Sequence, residues 1–289
     1  MLVAFFVVII MAVGWFVDKL SNSGTSFFVL ALIISIFMTL FSYFNGDKVV
    51  LWTSRARQVN AEDNPYLYRL VENLCITAGL RVPKLYVIPD QAINAFATGR
   101  DPHHASLAVT TGAIEQLENE ELEGVLGHEL SHVGNYDIRF MMLVSVMVGL
   151  LALLSDMFVR SMWFGAGRRD NSDSKNGSAV IAIVGLVFII LSPIIAQLIQ
   201  LAVSRKREFL ADASGALLTR YPEGLARALR KIAAQSRPVR NISNATAPLY
   251  FANPLGRVGK GLSKLFSTHP PVEERIKALE AMAGSGGTV

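Results

Sequence analysis

Cysteine is almost absent from this chain: Cys75 is the only one in 289 residues. No intramolecular disulfide framework can form, and any part that folds in water is suited to a reducing compartment. Cys75 sits in a half-apolar stretch, 68–80, with no histidine or second cysteine near it in sequence. That context reads as a buried structural thiol rather than a nucleophile. Charge is scarce as well, at 17% of residues against roughly a quarter in ordinary soluble domains. No run of Lys and Arg interleaved with aromatics is present, so the electrostatic footprint of a nucleic-acid binder is missing. No internal repeat is present either, which excludes solenoids and propellers. Histidine is rare, with five in all, and candidates for imidazole chemistry are correspondingly few.

What the chain has instead is apolar sequence. Hydrophobic residues make up 52%, the mean hydropathy is +0.39, and the apolar residues fall in long runs. About 20 mostly apolar residues cross the ~30 Å hydrocarbon layer of a bilayer. Four stretches approach that length: 2–17, 27–44, 140–158 and 179–201. The first is short, but its polar flanks can snorkel. It carries no Lys or Arg ahead of it and a second stretch follows at once, so it reads as a retained anchor rather than a cleaved signal. Residues 18–26 then form the turn of a hairpin. The net charge of +4 and a pI near 9.2 suit a protein lying against anionic headgroups.

These runs divide the chain into a membrane hairpin (1–46), a first soluble part (47–139), a second membrane pair (140–201) and a second soluble part (202–289). In the first soluble part, Asn64-Pro65 opens a helix that runs to Gly79, and 84–89 and 106–111 read as strands with 94–99 between them. The stretch 112–134 reads as one helix, with Glu118, Glu120 and Glu121 near the start of its second half. After the fourth stretch the chain stays helical through Thr219. Residues 222–234 form another helix, 237–267 a loop rich in Pro, Gly, Asn and Ser, and 270–283 a closing amphipathic helix.

His128-Glu129-Leu130-Ser131-His132 is an HExxH motif. On a helix, residues four apart return to one face about 6 Å higher, so both imidazoles can converge on one ion. Glu129, about 100° round, is placed to take a proton from a water on that ion. Leu122, Val125, Leu126, Leu130 and Val133 repeat with helical spacing, which puts the motif on a helix. An accidental match in a chain of this length has odds on the order of one percent.

Catalytic zinc sites take three protein ligands and a water. Glu208 is the candidate third ligand, from Arg207-Glu208-Phe209-Leu210-Ala211-Asp212, with Asp212 one turn on to orient a ligand imidazole. The same spacing also fits a solvated acidic face paired with Arg205 or Lys206. Two spans separate His132 from Glu208, an even number, so both lie on the same side of the membrane. Lys48, Arg55, Arg57, Arg139, Arg205, Lys206 and Arg207 flank that side, against Lys19, Arg160, Arg168, Arg169 and Lys175 opposite. The balance favours a cytoplasmic site. His269, before Pro270-Pro271, reads either as a capping or packing residue or as a donor to a developing oxyanion. His103 and His104 read as exposed loop residues.

With HExxH, a distal EFLAD block and four spans in this order, the chain resembles the HtpX family of membrane zinc metalloproteases, relatives of the CAAX prenyl proteases. The resemblance extends to 93–99, 204–212, 267–271 and 274–276. It implies a mainly α membrane protein, with four hydrophobic helices and a zincin-like α+β metalloprotease domain holding a small β-sheet. It implies one zinc per chain on His128, His132 and Glu208, with Glu129 as catalytic base. Asn94 and Ala95 would lie on an edge strand that pairs with extended substrate. The expected activity is endopeptidase cleavage of damaged membrane proteins and unfolded polypeptides, as quality control under stress. The expected place is the inner membrane of a prokaryote, with the site facing the cytoplasm. One alternative is a non-catalytic scaffold or chaperone with a closed, four-ligand zinc site. Another is processing of lipidated C-termini.

Overall fold

The computed structural model describes residues 2–21, 24–146, 205–235, 239, 249–252 and 270–285. The chain divides into two compact units, residues 1–44 with 147–198, and 45–146 with 199–289.

In the first unit, α1 (Leu2–Ser21) and the greater part of α2 (Ser26–Thr53) form a hairpin. Close approach of the two helices rests on Gly14, where a Cβ would come within 2.7 Å of the Phe27 carbonyl oxygen and the Ala31 Cβ. Asp18, buried near the end of α1, accepts hydrogen bonds from the Phe27 and Phe28 N–H groups at 3.0 and 2.8 Å. It thereby satisfies donors that the first turn of α2 cannot pair internally and sets a negative charge at the positive end of that helix. Helix α1 carries on into the expected turn as far as Ser21. Among the described residues, α2 is the one helix long and apolar enough to cross a membrane. The third apolar stretch enters the described residues only at 140–146, and the fourth lies outside them, so the structure bears on two of the four hydrophobic helices.

The second unit is built on a small mixed sheet of β1 (Arg57–Val59), β2 (Lys84–Ile88), β3 (Ala95–Gly99) and β4 (Ala105–Thr110). The order is β1-β2-β4-β3, with β2 and β4 parallel and the other pairs antiparallel. Strands β2 and β4 fall within a residue of their expected bounds. Strand β1 was not foreseen: three residues with two exposed carry no alternation to read. The β3–β4 connection turns at Gly99, whose φ of 139° suits glycine alone. Helix α3 (Pro65–Ala78) starts as its sequence suggests, with Asn64 accepting from the Leu67 N–H and proline in the first turn, and a left-handed Gly79 ends it.

The helix expected over 112–134 is two helices, α4 (Thr111–Gln116) and α5 (Asn119–Gly134). The break has a local cause. Glu118 adopts an extended backbone and forms a reciprocal capping box with Glu121, whose carboxylate accepts the Glu118 N–H at 2.9 Å. The acidic run therefore starts a new helix instead of decorating an existing one. Beyond α5 the chain turns and is helical again over 137–146, here α6. The remaining described helices are α7 (Arg205–Thr219), α8 (Pro222–Ala234) and α9 (Val272–Ser285).

Helix α5 is the centre of this unit. Leu122, Val125, Leu126, Leu130 and Val133 are buried with Leu67 and Val71 of α3, Leu107 and Val109 of β4, and Leu225 and Leu229 of α8. Against α7 the contact is backbone to backbone. A Cβ on Gly215 would lie 2.7 Å from the His128 nitrogen, and one on Gly127 would lie 3.3 Å from the Gly215 carbonyl oxygen. Two helices at van der Waals contact of their main chains are thus locked in place, and α7 is the helix that carries Glu208.

Candidate metal centre

Helix α5 presents His128 and His132 on one face, one turn apart, and both are buried. Their Nε2 atoms lie 3.2 Å from each other. From α7, the buried Glu208 brings one carboxylate oxygen to 3.5 Å from His132 Nε2 and the other to 3.9 Å from His128 Nε2. One ligand atom from each of the three residues lies within 4.8 Å of the others.

The opposite nitrogen of each ring explains why the Nε2 atoms face inward. His128 Nδ1 is 2.9 Å from Asp212 and His132 Nδ1 is 3.1 Å from Asp137. Ionised carboxylates only accept, so each Nδ1 carries the proton and each Nε2 is left with a lone pair. Two such lone pairs and a carboxylate, buried together, repel one another unless a cation lies between them. Two nitrogens 3.2 Å apart and bound at ~2.0–2.1 Å to one ion subtend about 100°, close to tetrahedral. The donor set therefore fits a zinc-type ion.

The electrostatics agree. Burial drives the His128 imidazole down to about 4, against the pull of Asp212, which keeps it neutral as a ligand must be. Burial also lowers His132, but its bond to Asp137 and the nearby Glu208 and Glu129 outweigh that and raise it. The same excess of negative charge favours a bound cation. Asp212 feels burial too, but the buried guanidinium of Arg275 and its own bond to His128 bring it down to about 2. Arg275 donates to Asp212 through Nε at 2.8 Å and Nη2 at 2.6 Å, reaches the Phe251 carbonyl at 3.3 Å, and lies 3.7 Å from Glu208. The Phe251 ring packs edge-on to His128, with centroids 4.9 Å apart, and faces the Arg275 guanidinium at 4.7 Å.

Glu129 is buried beside these groups, 2% exposed. Burial pushes its carboxyl up to about 7, with Glu208 adding to the rise and His132 opposing it. One oxygen accepts the Ala97 N–H at 2.8 Å, tying the acid to strand β3. Strand β3 is the outer strand of the sheet, and part of its edge is taken by the chain itself. The Phe251 N–H donates to the Ala95 carbonyl at 2.8 Å, and the Asn94 side chain donates to Ala252 O at 3.0 Å. Asn94 and Ala95 thus hold the 251–252 segment, and it is Ala97 that touches the acid.

His128, Glu129, His132, Glu208 and Asp212 are therefore brought together, while His103 and His104 belong to the β3–β4 connection, where His104 pairs with Asp101. His269 lies outside the described residues. Sequence reasoning missed Asp137, Arg275 and Ala97. Arg275 had a readable signal, a lone cation on the apolar face of a helix beside Val272, Ile276 and Leu279.

The model for peptidase family M48 matches residues 61–283. A protease HtpX homolog from Thermoanaerobacter pseudethanolicus is 44% identical over 280 residues, which cover 96% of this chain and 92% of that one. The chain belongs to peptidase family M48, within its HtpX group. Another protease HtpX homolog, from Tropheryma whipplei, is 47% identical over 259 residues, covering 90% of this chain and 87% of its own. Among solved structures, the crystal structure of S. mikatae Ste24p matches with a TM-score of 0.53 at 17% identity, over 93% of this chain and 61% of that one. That likeness speaks for the fold alone. Family and buried His–His–Glu cluster together make the chain a metalloprotease.

Proposed function

We propose that the chain is a membrane-bound, zinc-dependent endopeptidase that cleaves misfolded or damaged membrane proteins and unfolded polypeptides. The observation that carries this reading is the convergence of two Nε2 lone pairs and the Glu208 carboxylate at one buried point beside Glu129. His128, His132 and Glu208 would hold the ion. When bound, zinc supplies Lewis acidity, lowering the pKa of water and polarising a peptide carbonyl.

Glu129 does the proton work. Its carboxyl, raised to about 7 by burial, suits a group that takes a proton from water and returns it to the leaving amine near neutral pH. The Ala97 N–H holds one of its oxygens, which fixes the acid beside the strand where a substrate backbone would pair. Asp212 and Asp137 orient the two rings. Among the described residues the cluster offers three ligands. Asp212 is engaged by His128 and Arg275, which favours an open catalytic position over a closed structural site.

The apolar helix α2, the apolar runs of the sequence and the basic residues on the site's side support a multi-pass inner-membrane protein with its site toward the cytoplasm, acting in quality control under stress. The test is cleavage of an unfolded labelled casein by the zinc-loaded full chain in detergent. Glu129→Gln should retain its zinc and lose about 10²–10⁴ in rate. Cleavage at the wild-type rate by a zinc-loaded Glu129→Gln protein refutes the mechanism.

A further inference from the structure

We propose that Asp137 is a positioning residue of the metal centre, holding His132 as Asp212 holds His128, with Arg207 backing it as Arg275 backs Asp212. The inference rests on the zinc-ligand reading above and extends it to a residue that takes no part in that ligand set.

The backbone supplies the first argument. On an unbroken helix, a residue five positions past His132 lies about 140° round the axis and cannot face its ring. The chain does not continue unbroken. Helix α5 ends at Gly134, the Asn135 and Tyr136 N–H groups close back on the Ser131 and Val133 carbonyls, and Tyr136 takes a φ of 61°. A left-handed residue past the cap is a common helix ending, most often glycine, and a tyrosine adopts it at some cost. The Tyr136 side chain is exposed, with the Arg139 guanidinium 5.4 Å over its ring, so burial of tyrosine is not what the turn achieves. What it achieves is the return of Asp137, at the start of α6, to the His132 ring.

The second argument is the paired geometry. Asp137 is buried and sets Oδ2 3.1 Å from His132 Nδ1, while Oδ1 lies 3.6 Å from Arg207 Nη1. The Arg207 guanidinium lies 4.9 Å over the Phe140 ring of α6. Both imidazoles are thus held at Nδ1 by a carboxylate with a guanidinium behind it. The chain supplies the two guanidinia from α7 and α9, next to the ligand Glu208 in one case and 4.7 Å from the Phe251 ring in the other. The arms differ in tightness. The Arg275 side chain is 1% exposed and donates twice, whereas the Arg207 side chain is 30% exposed and sits farther off. Asp137 keeps the proton on Nδ1 and the ring turned so that Nε2 points at the ion. A ring without it is able to turn about its own bond or move its proton.

The experiment uses the full-length chain in detergent and zinc affinity measured by competition with a chromogenic chelator, beside the melting temperature of the metal-free protein. Asp137→Asn should weaken zinc binding by about 10–100-fold, with the metal-free melting temperature unchanged, and Asp137→Glu should recover most of the affinity because it restores the carboxylate. His132→Ala is the control for the ligand set itself. Wild-type affinity in Asp137→Asn beside a His132→Ala protein that has lost zinc overturns the proposal alone. Wild-type affinity in both overturns the ligand reading beneath it. A weakened affinity accompanied by an equal collapse of the metal-free fold, in Asp137→Glu as well as Asp137→Asn, assigns Asp137 to the scaffold and also overturns the proposal.

Discussion

Replacing Arg275 with methionine tests whether the centre depends on its buried ion pair. The guanidinium is 1% exposed and makes two short bonds to Asp212, a third to the Phe251 carbonyl, and an approach of 3.7 Å to Glu208. Methionine fills much of the same space but leaves the Asp212 carboxylate buried, its charge held by the bond to His128. Breaking a buried pair from one side costs about 3–5 kcal/mol, because the surviving charge is stranded. For a unit of this size, 1 kcal/mol moves the midpoint by about 2–4 °C, so Arg275→Met should melt roughly 6–20 °C below wild type. The assay is thermal unfolding of the metal-free chain in detergent, followed by circular dichroism. A companion Asp212→Asn/Arg275→Met protein removes both charges, and its loss should fall short of the summed single losses by about 1–3 kcal/mol. An Arg275→Met midpoint within about 2 °C of wild type, or strictly additive losses, would refute the claim that the pair is buried and coupled.

Two further expectations are independent of that pair. Gly215→Ala pushes a methyl group against the main chain of α5 at His128. It should destabilise by about 1–3 kcal/mol and weaken zinc binding by separating Glu208 from the histidines, as read by melting and chelator competition. The Cys75 thiol is pushed up to about 11, chiefly by burial and then by Glu72. At pH 8 only about one molecule in a thousand carries a thiolate, against roughly a quarter for a free thiol. Iodoacetamide followed by mass spectrometry should therefore modify the unfolded chain and spare the folded one. Because the folded value lies above the unfolded one, this group's share of stability is present below about pH 8.5 and is lost as pH rises toward 11.

The helices that carry the clustered side chains were legible because their signals are local. HExxH needs only a helix to put two rings on one face, and α3 announces itself through Asn64, Pro65 and Gly79. The strands β2 and β4 read from their apolar runs. What escaped were features decided by competition or by distance. The Glu118–Glu121 capping box split a helix that periodicity alone would continue. Asp137 was invisible because its return to His132 depends on one left-handed residue, Tyr136, where the glycine that usually marks such a helix ending is missing. Arg275 and Phe251 reach the centre through contacts across 63 and more residues, which no spacing rule encodes. Ala97 acts through its amide, and a main-chain donor leaves no trace in side-chain identity.

The glycine contact between α5 and α7 bears on when, during synthesis, the buried cluster can first come together. His132 is synthesised some 75 residues before Glu208, an interval of roughly 4–15 s at ordinary elongation rates. During that time the two histidines exist without the Glu208 carboxylate that completes the cluster. Gly127 and Gly215 meet main chain to main chain, so a partly docked α7 does not bring the carboxylate within reach. The His–His–Glu cluster therefore cannot assemble until α7 has been made and has docked its glycine face on α5.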